Sequence, residues 1–373
     1  LESTCSQLLD LCLRGEPWTP ALLDRAIAED DGRALLGIVV ERLADLFEPS
    51  LCHVYASLFL EVIARVCPQI SPRTRVVEGS AVVWPSAASR VYVLSRITLG
   101  ADVAVTSVLL DAAKRRYPYA EIVFAGPRKN FELFEADPRI RHREVAYARG
   151  GTLADRLQAS AQLWFDDGVV IDPDSRLTQL GLISVCDSEQ YLFFNSRSYG
   201  GDTDGRLPVL AAQWADDRMA RPYVAPLVPT GNAFEITVSL GVGENPAKRL
   251  TGDFERELLR LLSESGASIL IDKGASPEER ARVERAMLPG MAAHDGAFAP
   301  FAAQIARSKL FVGYDSAAGH VASACGVPLI SIAKGFVSPR MAARWRPQGT
   351  VIDGSAPDVL DQVRRALTYT FRR

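Results

Sequence analysis

The stretch that decides the fold is Leu310-Phe311-Val312-Gly313-Tyr314-Asp315-Ser316-Ala317-Ala318-Gly319-His320-Val321-Ala322-Ser323-Ala324-Cys325-Gly326-Val327-Pro328-Leu329-Ile330-Ser331-Ile332. Its apolar opening predicts a strand over 310–313, and the run of small residues opens a helix over 317–325 with Val321, Ala324 and Cys325 on one face. A second apolar run predicts a strand over 328–332. A strand, a helix and a strand this closely spaced read as a parallel βαβ unit.

Working outward, the same grammar begins at Glu235, with strands expected over 236–240 and 268–271 and helices over 253–265, 277–287 and 301–308. A last helix is expected from Pro357 to about Tyr369. An earlier series starts at Val91, with strands over 91–95, 121–125, 169–171 and 191–194. Its helix over 103–116 ends in Lys114-Arg115-Arg116, which complements the negative end of the helix dipole, and Pro118 stops it. Between the two series, residues 221–232 carry Pro222, Pro226, Pro229 and Gly231, a linker composition. Residues 3–66 instead show apolar residues at helical spacing, punctuated by Pro17, Pro20, Gly32 and Pro49, and predict about four helices. Residues 68–85 form a Pro- and Ser-containing connection with room for one short strand. The expected organisation is a helical region (1–67), a linker (68–90), an α/β domain (91–220), a second linker (221–234) and a second α/β domain with a closing helix (235–373).

The formal net charge of −3 over 373 residues lacks the footprint of a nucleic-acid binder. Between Arg90 and Arg149, eleven Lys or Arg face seven Asp or Glu, an excess that suits an anionic substrate or a membrane surface as well as a plain solvated face. Six scattered cysteines without a CxxC pair read as buried thiols, and four dispersed histidines give a metal site little to build on. No basic n-region with an apolar core opens the chain, and no apolar run is expected to reach the ~18 residues of a membrane span. A cytoplasmic protein, with peripheral contact to a membrane from that side, is the expectation.

In open α/β sheets ligands gather at the carboxyl ends of the strands, so the loops there hold the candidates. After strand 91–95, Asp102 is either a base or a helix N-cap. After strand 236–240, Gly241 and Gly243 let a backbone approach phosphate, and Lys248 can neutralise it. After strand 268–271, Glu278 lies in an ordinary helix start and is also placed to meet hydroxyl groups. After strand 310–313, the small residues Ser316, Ala317, Ala318 and Gly319 keep a helix N-terminus open as a diphosphate seat. His320, one turn in, can donate to the same phosphates or pack in the core.

These residues resemble a family signature. The run from Asp315 through His320 to Gly326-Val327-Pro328 is similar to the pattern of glycosyltransferase family 9, the heptosyltransferases. Gly100-Ala101-Asp102-Val103 with Thr106, the segment Ala113-Lys114-Arg115-Arg116-Tyr117-Pro118, and Arg344-Trp345-x-Pro347-x-Gly349 agree with it in order. Ala101 and Ala317 stand where the family usually has Gly, and the helical region before Val91 is extra. The resemblance implies a GT-B type α/β fold, in which two Rossmann-like parallel-sheet domains face each other across a cleft. It implies an inverting, metal-independent transfer of a sugar, heptose from ADP-heptose, to a hydroxyl of a lipopolysaccharide-core-like or other acceptor. No cofactor is implied beyond the nucleotide sugar, and no metal. Asp102 is then the catalytic base. Lys248, His320 and the backbone of residues 316–319 hold the diphosphate. Asp315, Glu278, Gly241 and Gly243 meet the donor sugar and nucleoside. Arg96, Arg128 and Lys129 are the acceptor contacts expected from the basic stretch. The helical region is a candidate for oligomer formation or for docking of acceptor or membrane. A nucleotide-sugar epimerase of the same architecture and a non-catalytic scaffold are the rival readings, since fold alone does not decide function.

Overall fold

The computed structural model describes residues 3–73, 83–243 and 245–371. The middle of the expected 68–90 connection, and Glu244 in the glycine-rich loop, lie outside the described residues.

The chain opens with helices Thr4–Arg14, Pro20–Ala28 and Pro49–Val66, and with a helical stretch whose π-turn Leu35–Val40 runs on into Glu41–Asp45. Local rules start and stop them. Ser3 and Thr19 cap the first two by accepting from Ser6 and Leu22 N–H groups, and Gly15 ends the first in the left-handed conformation. Contrary to the sequence expectation, helix Pro49–Val66 is long and apolar enough to cross a membrane by length and composition. Its Tyr55, Phe59, Val62 and Ile63 are nevertheless buried in the helical region's own core, as in any core helix. That core also takes in Leu153, Leu157, Leu180, Leu182 and Ile183 of the first α/β half, so the region's apolar face is covered within the chain. Tyr55 donates to the Gln179 carbonyl at 3.0 Å across the same seam.

The first sheet comprises β1 (Arg90–Leu94), β2 (Glu121–Gly126), β3 (Ile140–Glu144), β4 (Val169–Asp172) and β5 (Tyr191–Phe193), ordered β3-β2-β1-β4-β5. The second comprises β6 (Ile236–Ser239), β7 (Ile269–Asp272), β8 (Ala292–His294), β9 (Leu310–Tyr314), β10 (Leu329–Ala333) and β11 (Thr350–Asp353), ordered β11-β10-β9-β6-β7-β8. Every pairing is parallel. The sequence pattern does not announce β3, β8 or β11. All three are sheet edges, where one side of the ladder is open and the composition need not be apolar: β3 reads Ile-Arg-His-Arg-Glu. The central strands of the second half crowd closely, and a side chain at Gly313 of β9 would meet the Ser239 carbonyl of β6 at 2.2 Å.

The two halves do not stand apart. Phe301, Phe311, Ala318, Val321 and Ala322 of the second half join the buried core of the first. Helix Ala317–Ala324 is therefore an internal seam as well as the start of a strand-end loop.

Candidate active site

The strand order reverses between β1 and β4 in the first sheet and between β6 and β9 in the second. Open α/β sheets bind ligands in the crevices outside those reversal points. Residues 95–102 and 172–175 follow the first pair of strands, and residues 240–248 and 315–320 follow the second.

In the second half, Asn245 caps a short turn, Pro246–Lys248, that carries Lys248 across to β9. The Lys248 ammonium lies 2.5 Å from Asp315 Oδ2 and is mostly covered. Ser316 is the N-cap of helix Ala317–Ala324 yet makes no capping bond, and its buried Oγ has no partner. The first N–H groups of a helix are unpaired by construction and carry the positive end of its dipole. An ammonium, a free hydroxyl and a helix N-terminus thus converge at one point. Ala318 and Gly319 are buried behind this rim, while Ser316, Ala317 and His320 are partly exposed. Burial lowers the His320 pKa below its ordinary value, with Asp315 opposing and Lys248 adding to the shift. The ring is neutral at neutral pH and keeps one N–H to donate.

The first half is built differently. Asp102 is neither at the mouth of the cleft nor an N-cap, since Thr98 precedes the first helical turn, Leu99–Ala101. Asp102 opens the π-turn Asp102–Thr106, a geometry often found at functional sites. It is fully buried. Oδ1 accepts from the Arg96 N–H and Thr106 Oγ1, and Oδ2 from Ser95 Oγ and Asn130 Nδ2, each at 2.6 Å. Four donors fill the lone-pair positions of a carboxylate. Burial raises its pKa, and those four hydrogen bonds pull the other way. Beside it, at the end of β4, Asp172 accepts from Thr178, Tyr191 and the Ser175 N–H, and burial lifts its pKa to about 6.

The halves touch where these two sites meet. A side chain at Gly100 would lie 3.1 Å from His320 Cδ2 and 3.3 Å from Ala317 Cα. A Cβ at Gly100 would press His320 and the Ala317 backbone by a few tenths of an ångström, so glycine there eases the contact between the Asp102 loop and helix Ala317–Ala324. Arg344 is fully buried and ties the halves by donating to the Tyr199 and Gly201 carbonyls at 3.0 and 2.9 Å.

The remaining expected residues are placed less favourably. Glu278 is exposed, and it is Glu279 that faces the strand ends, where a side chain on Gly241 would meet its Oε1 at 2.8 Å. Gly243 is exposed with open space around it. Arg96 is buried, its Nη1 donating to the Pro173 carbonyl and to Ser196 Oγ. Burial and then Arg197 draw its pKa down to about 10. Arg128 is exposed and paired with Glu132 and Glu135, and Lys129 is exposed. Neither reaches Asp102, whereas their helix neighbour Asn130 does. Thr106 carried a motif signal, whereas Ser95 and Asn130 did not, and Asn130 lies 28 positions from Asp102. Among the described residues, no group of three His, Cys, Asp or Glu side chains is arranged to hold a metal ion.

Residues 189–353 match the model of glycosyltransferase family 9 (heptosyltransferase). The fold is similar to that of a family 9 glycosyl transferase from Veillonella parvula DSM 2008, at 14% identity and a TM-score of 0.56, covering 78% of this chain and 99% of that one. It is similar to E. coli heptosyltransferase WaaC with ADP-2-deoxy-2-fluoro heptose, at 16% identity and a TM-score of 0.53, covering 76% and 100%. E. coli ADP-heptose lps heptosyltransferase II matches at 16% identity and a TM-score of 0.54, over 75% and 98%. No curated protein matches the chain.

Proposed function

We propose that the protein is an inverting glycosyltransferase, starting from the match of residues 189–353 to the model of glycosyltransferase family 9. It moves a heptose from ADP-heptose to a hydroxyl of a lipopolysaccharide-core-like acceptor. The observation that carries the reading is the convergence of Lys248, the partnerless Ser316 hydroxyl and the N-terminus of helix Ala317–Ala324. These groups suit a nucleoside diphosphate.

In the reaction the acceptor oxygen forms a bond to the anomeric carbon as the bond to the diphosphate oxygen breaks. The acceptor proton passes to Asp102, and the electron pair leaves with the diphosphate. Negative charge therefore builds beside Lys248, the helix N-terminus and the His320 N–H. Fixed donors aimed at developing charge are commonly the largest single contribution to catalysis. Asp102 makes the smaller, ~10²–10⁴-fold contribution of a positioned base. Burial suits it to that work, because a raised pKa strengthens a carboxylate as a base. The acceptor hydroxyl takes the place of one of the three side-chain donors now bonded to it. Glu279, in place of Glu278, is the carboxylate positioned for the nucleoside side.

One observation favours a second reading. The four filled hydrogen-bond positions of Asp102 also suit a purely structural anchor. Release of ADP from ADP-heptose, with a lipopolysaccharide-core oligosaccharide as acceptor, separates the two. Transfer by the wild type and not by a folded Asp102→Asn variant supports the base. Undiminished transfer by the variant makes Asp102 structural.

A further inference from the structure

Phe47 is an anomaly in the helical region. Among that region's described residues it alone joins the α/β core, while its neighbours pack in the separate helical core. It is fully buried and holds a φ of 57°, a left-handed conformation that is sterically costly for a bulky L residue. Such a conformation persists only where the surroundings over-determine it. Here they do, because the Phe47 carbonyl accepts from Arg340 Nη1 at 3.1 Å and its ring meets Trp345 edge-on at 6.2 Å. Arg340 and Trp345 belong to one helix, Pro339–Trp345, of the second half.

Trp345 in turn lies edge-to-face against His320, with ring centroids 5.8 Å apart, and the Arg96 guanidinium lies 5.8 Å from its centroid. Among the described residues, neither ring nitrogen of His320 has a hydrogen-bond partner. Packing alone therefore orients the imidazole: Trp345 lies on one side, and the close approach at Gly100 closes another.

We propose that Phe47 and Trp345 are positioning residues that hold the His320 imidazole toward the diphosphate, so that the N-terminal helical region is a working part of the donor site. This rests on the reading of His320 as a diphosphate ligand, and it gives the extra region a task within one chain. An untethered ring samples several rotamers, and affinity falls by the fraction of time the competent one is occupied.

The test uses the full chain, with Phe47→Leu, Trp345→Leu, His320→Ala and Tyr55→Phe as a control in the helical region. Two readouts are taken: ADP affinity by calorimetry and the His320 ring resonances by NMR. Phe47→Leu and Trp345→Leu are expected to weaken ADP binding severalfold and to shift or broaden the His320 signals, while Tyr55→Phe changes neither. Two positioning variants are carried so that misfolding of one, seen by thermal unfolding, leaves the other to decide. ADP affinity unchanged in His320→Ala overturns the diphosphate reading of that residue. Affinity lost in His320→Ala but kept in a folded Phe47→Leu or Trp345→Leu protein, with wild-type His320 signals, overturns the relay.

Discussion

The two strand-end sites of this molecule are opposites. Around Asp315 the groups that suit a ligand are short of partners: Ser316 Oγ has none, and the helix N-terminus behind it is uncapped by a side chain. Around Asp102 every acceptor position is filled and the carboxylate is sealed from solvent. The contrast teaches that one site is prepared to bind and the other to be opened. In the proposed reaction a polyanion docks on the first as it stands, and the second yields its carboxylate when a substrate hydroxyl replaces an internal donor.

Substitutions in the two sites should separate their roles. The largest effect is expected at Asp102. Its change to Asn should cut transfer by about 10²–10⁴ while leaving ADP affinity intact, as steady-state rates and calorimetry will show. At Lys248 the pattern should reverse. Lys248→Ala removes the ammonium from the proposed diphosphate seat and should weaken ADP binding by roughly 10–100-fold, the ~1.5–3 kcal/mol of a charged hydrogen bond.

Asp172 sharpens the picture of the first half as a set of buried carboxylates. Its pKa, lifted to about 6 by burial, lies above the unfolded value, so between roughly pH 4 and 6 the native state holds a proton that the unfolded chain has lost. The associated stability is fully present below that window and is lost as pH rises through about 6, with a slope of at most ~1.4 kcal/mol per pH unit. Melting curves of wild type and Asp172→Asn across pH 4–7 should differ in slope in that sense. The smallest effect is expected where the sites touch. Gly100→Ala adds a methyl group at 3.1 Å from His320 and should weaken ADP binding a few-fold with little change in melting temperature.

The same contrast explains what the sequence disclosed. The site around Asp315 was legible because strand, loop and helix N-terminus are contiguous, and the small residues 315–320 announce an approachable backbone. Lys248 came with a neighbouring strand-end loop. The site around Asp102 was legible at the aspartate, Arg96 and Thr106, but not at Asn130, which meets it across 28 positions through tertiary packing that no local pattern encodes. Helical phase misled at Glu278, where one residue, a rotation of about 100°, separates the exposed side chain from the inward Glu279. The central strands showed in apolar runs, while the edge strands β3, β8 and β11, short or polar, did not. The role of Phe47 was out of reach, since a left-handed phenylalanine at a three-way junction leaves no trace in composition or spacing.

The central claim is that the second half seats a nucleoside diphosphate without help from Asp102. The most direct test is calorimetric titration of ADP, UDP and GDP, without added metal, into wild type, Asp102→Asn and Lys248→Ala. ADP is expected to bind wild type and Asp102→Asn equally and Lys248→Ala at least about tenfold more weakly. Equal binding by all three proteins, or no binding of any nucleotide to wild type, would contradict it.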